Sequence, residues 1–197
     1  MRKFPLILTA AAVALASQSA MAYKAGDIYA RAAFEKTNVK TDNISDENGA
    51  YLAGGYLFHD NIGVELGLGQ SVKHDHFGLA GNDLGTMKTM PVNLLVNYYP
   101  LGGLDNAPVQ PFVGLGLNYT RFSSFNEKDP SRYSLRAKDS YGVVGQVGVD
   151  LKLYENLSAT GYARWADVSA EVENHGNDIG KLRLDPLSIG AGLTYRF

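Results

Sequence analysis

Apolar and polar residues alternate with a period of two along most of this chain, and no stretch repeats the spacing of an amphipathic helix over a helical length. The alternation starts after Gly26, with Ile28, Ala30, Ala32 and Phe34 on one face and Tyr29, Arg31, Ala33 and Glu35 on the other. Leu52, Gly54, Tyr56 and Phe58 carry it on. After His59, Asp60 and Asn61 it resumes at Ile62, Val64, Leu66 and Leu68, so a tight polar turn joins two strands into a hairpin. Further strands run from Met90 to Tyr98, Val113 to Thr120, Tyr141 to Asp150 and Leu187 to Phe197. In a segment near 157 to 170, Tyr162, Arg164, Trp165 and Asp167 do not sort between two faces, and its register stays open. The pattern predicts an all-β fold, an eight-stranded antiparallel barrel.

Connector lengths and face chemistry say what surrounds that barrel. Connectors around 38 to 48, 73 to 86, 123 to 138 and 171 to 181 are long and polar, whereas those at 59 to 61 and 153 to 156 are short. Long loops at one rim and short turns at the other are the signature of a transmembrane barrel. One strand face is aliphatic. The other is mostly Gly, Asn, Thr, Ser and Gln with scattered charges, too small and too rarely charged for a soluble surface but suited to a narrow lumen. The aliphatic face must then meet lipid, and unpaired backbone groups in hydrocarbon cost so much that the sheet has to close. Tyr56, Tyr98, Tyr119, Tyr141 and Tyr195 fall near strand ends, where rings settle at the headgroup level.

The amino terminus fits an exported chain. Arg2 and Lys3, an apolar run from Phe4 to Ala16, and Ala20, Met21, Ala22 form a signal-peptide pattern, so residues 1–22 are expected to be cleaved and 23–197 to form one barrel domain. Without Arg2 and Lys3 the mature chain has 16 basic and 20 acidic residues, a net charge of −4 that gives no footprint for nucleic acid. There is no cysteine, so an oxidising periplasm has nothing to crosslink and stability rests on packing and backbone pairing.

Several stretches resemble the OmpW-like family of small outer-membrane proteins. They are Asp60 to Leu66, Pro111 to Thr120, Lys138 to Gly142, Gly148 to Asp150, Arg183 to Pro186 and the closing Tyr195, Arg196, Phe197. They span nearly the whole mature chain in family order. The resemblance implies a bacterial outer-membrane barrel with an apolar pocket open to the outside and passive uptake of small hydrophobic molecules. It also implies receptor roles for bacteriocins or phage in some relatives, and reading of Tyr195 and Phe197 by the barrel assembly machinery. One departure is Gly67, where relatives often carry a bulky apolar residue after Glu65 and Leu66.

The residues themselves leave the interior open to two readings. Gly63, Gly67, Gly69, Gly114, Gly116, Gly142, Gly148, Gly190 and Gly192 fall on the lumen face, and as a set they favour empty space. Leu57, Leu95, Val144 and Tyr99 are candidates for an apolar constriction, with Glu65 and Gly67 beside it. Inward Arg31, Glu35, Glu65, Asp150 and Arg196 would need pairing, which predicts a salt-bridged block in the periplasmic half. Pro91 inside the fourth strand and Pro186 at the start of the last one each remove a ladder donor. They mark a lateral opening into the lipid or, equally, a bulge that adjusts curvature. The alternative to a channel is a surface receptor or structural protein with a filled lumen.

No other chemistry competes strongly. His74, Asp75 and His76 do not make a metal site by themselves. His175, Asp83 and Asp178 share only a rim with them, so no catalytic group and no cofactor is expected. Arg132, Arg136 and Lys138 are candidates to meet lipopolysaccharide phosphates, though a solvated loop explains them as well.

Overall fold

The computed structural model describes residues 23–38, 47–70, 72–79, 82–104, 107–127, 135–137, 139–174, 177–183 and 185–197. The expected signal peptide lies outside the described residues. Twelve strands are present among the described residues. They are β1 (Ile28–Asn38), β2 (Glu47–His59), β3 (Ile62–Gly69), β4 (Val72–Leu79), β5 (Asn82–Tyr98), β6 (Val109–Glu127), β7 (Leu135–Ala137), β8 (Ser140–Lys152), β9 (Leu157–Ala166), β10 (Ser169–Asn174), β11 (Asn177–Arg183) and β12 (Leu187–Arg196). Eight of them close a ring in the order β1, β2, β3, β5, β6, β8, β9, β12, every pairing antiparallel. The seam between the first and last strands is fully laddered, from Tyr29 opposite Arg196 to Asn38 opposite Leu187.

The sidedness is the reverse of a soluble protein. Phe34 is 80% exposed and Leu115 67%, whereas Arg31 is 2% and Glu65 0% exposed. Aliphatic side chains therefore stand outward around the ring and the charges turn in, the arrangement that lipid demands and water forbids. Tyr56, Tyr98 and Tyr195 lie on the outward face at the short-turn end, with Tyr119 and Tyr141 outward at the other. The Tyr119 and Tyr141 rings lie 5.0 Å apart, as do those of Tyr195 and Phe197.

Two expectations change. The segment whose register was open resolves with Thr160, Tyr162 and Arg164 inward and Trp165 outward. Gly161 and Ala163 occupy the lipid side there, and their small size hid the period. The polar connectors are also more structured than loops. β4 pairs with the distal half of β5 as a hairpin, and β7, β10 and β11 form a separate three-stranded sheet.

The glycines do not leave the interior empty. A side chain at Gly55 would strike the Tyr29 ring directly across the ladder; one at Gly148 would strike Phe112, and one at Gly190 would strike Tyr162. At these positions a large ring on one strand packs on a glycine of the next, whereas Gly116, Gly142 and Gly192 face backbone carbonyls and Gly114 faces Asn97 and Gln146, so the small residues are occupied seats rather than voids. At the short-turn rim, Asn61 Nδ2 donates to the carbonyls of Tyr99 (2.7 Å) and Gly102 (3.2 Å), docking two turns on each other. Gly103 there has φ of +75°, a conformation that glycine adopts at no steric cost.

This packing makes a prediction. Gly148→Ala collides with both Phe112 and the Gly161 carbonyl, while Gly161→Ala meets nothing within 4 Å. Urea unfolding of the refolded barrel should show a loss of about 1–3 kcal/mol for the first. The second should stay within about 0.5 kcal/mol of the parent.

Candidate functional site

The lumen toward the short turns is filled by one connected polar layer. Arg31 on β1 donates from Nη1 to Glu65 Oε2 on β3 (2.8 Å), from Nη2 to Asp150 Oδ2 on β8 (3.3 Å) and from Nε to Thr194 Oγ1 on β12 (2.9 Å). Glu65 Oε2 also accepts from Tyr29 (2.8 Å) and Asn97 Nδ2 (3.2 Å). Asp150 accepts from Thr160 and from Tyr23, each at 2.5 Å. Gln146 Nε2 donates to Asn97 Oδ1 (2.8 Å), and the Tyr99 hydroxyl donates to that of Tyr29 (3.2 Å). The guanidinium carbon of Arg31 lies 4.7 Å from the centre of the Phe112 ring. Seven ring strands contribute a polar or aromatic group, and the eighth, β2, adds Leu57 to the same buried cluster.

Burying a guanidinium costs several kcal/mol of lost hydration, and a single ion pair does not always recover it. Here two carboxylates and a hydroxyl take three of its nitrogens, and the carboxylates are themselves satisfied by neutral donors. That density is why the layer is stable, and it leaves no straight-through water path among these groups. Tyr23 sits beneath it, 4% exposed, its ring 4.5 Å from that of Tyr99. The salt-bridged block predicted for this half is present, built from Arg31, Glu65 and Asp150. Arg196 stands apart at the rim, 3.5 Å from Asp27.

Toward the long loops lies a second group. Arg164 on β9 pairs with Glu35 on β1, which also accepts from the Tyr162 hydroxyl at 2.5 Å. The Arg164 guanidinium carbon lies 3.8 Å from the centre of the Tyr51 ring. Thr120, Asn118 and Asn93 form a hydrogen-bonded chain on the facing wall, at 2.8 and 2.7 Å. A side chain at Gly67 would overlap the Tyr51 hydroxyl, so the space beside Gly67 is taken by Tyr51.

The six residues expected at a constriction, Leu57, Glu65, Gly67, Leu95, Tyr99 and Val144, all turn inward and are buried. They do not form one apolar ring. Leu57 and Tyr99 share a cluster, and Glu65 belongs to the ionic layer. Leu95 and Val144 stand on the wall to either side of Gly116, outside that cluster. The alternation pointed to none of the roles of Tyr51, Tyr162 and Arg164, because a tyrosine in a strand reads the same whether it faces lumen or headgroups.

Pro91 lies where the wall changes partner. Pairing of β3 with β5 ends at Leu68 opposite Val92, and pairing of β4 with β5 begins at Val72 opposite Thr89, so Met90 and Pro91 are bypassed on that side. Gly69 faces the Pro91 ring there. Pro186 precedes β12, four strands away around the ring, and its carbonyl accepts from Ala166 N at 3.2 Å. The two prolines thus lie on opposite walls and do not flank a common gap. The side chains of His74, His76, Asp83, Asp178 and Arg136 lie outside the described residues, as do Arg132, Lys138 and His175.

An inverted, closed eight-stranded ring with aromatic belts and a sealed lumen defines a small transmembrane β-barrel. Residues 8–197 match the OmpW family, and the chain belongs to it. It is 30% identical over 215 residues to Outer membrane protein W of Salmonella typhimurium, with all of both chains covered. The crystal structure of OprG from Pseudomonas aeruginosa superposes with a TM-score of 0.77 at 27% identity, covering 89% of this chain and 98% of that one. A further relative, 30% identical over 170 residues, is the dibenzothiophene metabolism operon protein PahQ of Pseudomonas aeruginosa; the match covers 78% of this chain and 73% of that one. The protein is thus an outer-membrane barrel, its short turns facing the periplasm.

The ionic layer makes its own prediction. Arg31→Met leaves Glu65 and Asp150 buried without their cation, which should cost about 3–5 kcal/mol in urea unfolding. In planar bilayers the same variant should conduct small ions more readily than the parent.

Proposed function

We propose that the protein is a passive channel for small hydrophobic molecules, which arrive from outside, descend to the ionic layer and leave sideways into the bilayer near Pro91. The observation that carries this reading is the combination of a sealed periplasmic half with a wall whose ladder is interrupted above the seal. A polar solute would have to cross buried ion pairs. An apolar one loses nothing by turning into lipid, since hydrocarbon solvates it as well as the lumen does. The name of the relative PahQ, from an operon for dibenzothiophene metabolism, is consistent with apolar aromatic cargo, because dibenzothiophene has no charge to carry across a membrane. On this reading Leu95, Val144 and Gly67 line the inner end of the route and Glu65 belongs to its floor, with Leu57 and Tyr99 packed on the periplasmic side of that floor. Pro91 marks the exit. Pro186, on the far wall, adjusts the start of β12.

The remaining parts of the reading concern export. Residues 1–22 direct the chain through the inner membrane. Tyr195 and Phe197, with their edge-to-face rings on the outward face, serve as the signal for the barrel assembly machinery. Outer-membrane lipid and lipopolysaccharide are the surroundings the aromatic belts and loop cations meet.

The test is permeation into vesicles that contain the refolded mature protein. Uptake of a small hydrophobic fluorophore should exceed that of empty vesicles while ion flux stays at their level, and Pro91→Ala, at equal insertion, should slow the dye. Large ion conductance by the parent would replace this reading with an aqueous pore. No effect on dye or ions would leave a receptor or structural protein with a filled lumen.

A further inference from the structure

Two polar atoms in the outer lumen are conspicuous because both are donors buried without a partner, whereas the unpaired atoms of the layer below, Gln110 Oε1 and Gln146 Oε1, are amide acceptors. Tyr51 is 1% exposed and Arg164 5%. Neither the Tyr51 hydroxyl nor Arg164 Nη1 makes a well-formed hydrogen bond among the described residues, the Tyr51 hydroxyl lying near the Asn93 and Glu65 side chains without one. The two side chains are stacked, coming from β2 and β9 on different walls, and the Tyr162 ring centre lies 5.1 Å from the same guanidinium carbon. The other terminal nitrogen of Arg164 is engaged by Glu35. A guanidinium nitrogen can only donate, and a phenol donates readily, so whatever satisfies both must present an acceptor.

Charge selects the kind of acceptor. Among the described residues the lumen holds two guanidiniums, Arg31 and Arg164, against three carboxylates, Glu35, Glu65 and Asp150. Arg164 already has its counter-ion. A bound anion would add to an interior that is negative by one charge, at short range and away from water, where like charges repel most strongly. A neutral oxygen would take the free donors without that cost. The aromatic faces of Tyr51 and Tyr162, ring centres 5.9 Å apart, supply apolar surface beside it. Phe122 on β6 and Val168 between β9 and β10, 7% and 2% exposed, are further buried apolar side chains toward the long loops.

We infer that Tyr51 and Arg164 form a subsite for the oxygen of a neutral carbonyl or hydroxyl group on an otherwise apolar solute. This rests on the channel reading and narrows its cargo from hydrophobic molecules in general to oxygenated ones such as ketones, aldehydes and alcohols. Gly67 takes part by leaving room for the Tyr51 hydroxyl.

The experiment titrates 2-nonanone, nonane and nonanoate into lipid nanodiscs carrying the refolded protein, with partitioning into empty nanodiscs subtracted. The ketone should bind more tightly than either the alkane or the carboxylate. In Tyr51→Phe, which keeps the ring, the ketone-to-alkane affinity ratio should fall about fivefold, the worth of one hydrogen bond. Arg164→Lys, which keeps a cation opposite Glu35 but removes Nη1, should lower the same ratio, and heat-modifiable mobility verifies that each barrel has formed. An unchanged ratio in both variants would overturn the subsite and assign the two atoms to trapped water. Tightest binding of nonanoate would overturn the preference for a neutral oxygen. Should no probe bind while the fluorophore still permeates, the subsite fails and the channel stands; should permeation fail too, both fall.

Discussion

A single buried guanidinium organises the interior. Arg31 has no water to hydrate it, so it must be surrounded by acceptors, and in a barrel this narrow they have to come from other strands. Glu65 and Asp150 answer from β3 and β8, Thr194 from β12. Their own remaining lone pairs recruit Tyr29, Asn97, Thr160 and Tyr23. Hydration denied to one cation thus spreads into a network that ties distant strands together and excludes a water column. Sealing the periplasmic half follows from making the charge stable.

The wall and the lumen divide the remaining tasks. Outside, closure of the ladder satisfies the backbone and the aliphatic face satisfies the lipid, so neither needs any particular side-chain identity. Inside, every large side chain needs a place, and glycines on adjacent strands supply it. Tyr29 over Gly55, Phe112 over Gly148 and Tyr162 over Gly190 repeat one solution around the ring. Glycine abundance, which in isolation suggests an open tube, is here the condition for filling it with aromatic rings. The outer lumen departs from this economy at Tyr51 and Arg164, where the packing is dense but the hydrogen bonding is incomplete. Below, the ions are paired and only the amide oxygens of Gln110 and Gln146 lack a partner; above, two donors lack an acceptor, which distinguishes a plug from a place where something else belongs.

Much of this was legible in the chain. Period-two alternation with an aliphatic face and a small polar face requires a closed barrel in lipid, because no other structure hides the backbone while presenting that face to hydrocarbon. Inward charges on β1, β3 and β8 required partners, and Arg31, Glu65 and Asp150 did find one another. The inward positions of Leu57, Leu95, Tyr99 and Val144 followed from parity alone. β9 was obscure because Gly161 and Ala163 on its lipid side carry little hydrophobic signal, which concealed Arg164.

What alternation cannot convey is depth and reach. Once the register of β9 is known, Tyr51, Tyr162 and Arg164 all point inward, but whether they meet depends on the stagger between strands, which is set by closure of the whole ring. The same stagger puts Pro186 across the barrel from Pro91, and seats aromatic rings on Gly67, Gly148 and Gly190 where parity alone suggested a cavity. The chain by itself determined the environment, the strand count and the sides of the wall, since each is a local consequence of which residues tolerate lipid. The tertiary structure alone decided which inward side chains touch, because those contacts join strands far apart in sequence and exist only once the ring is shut.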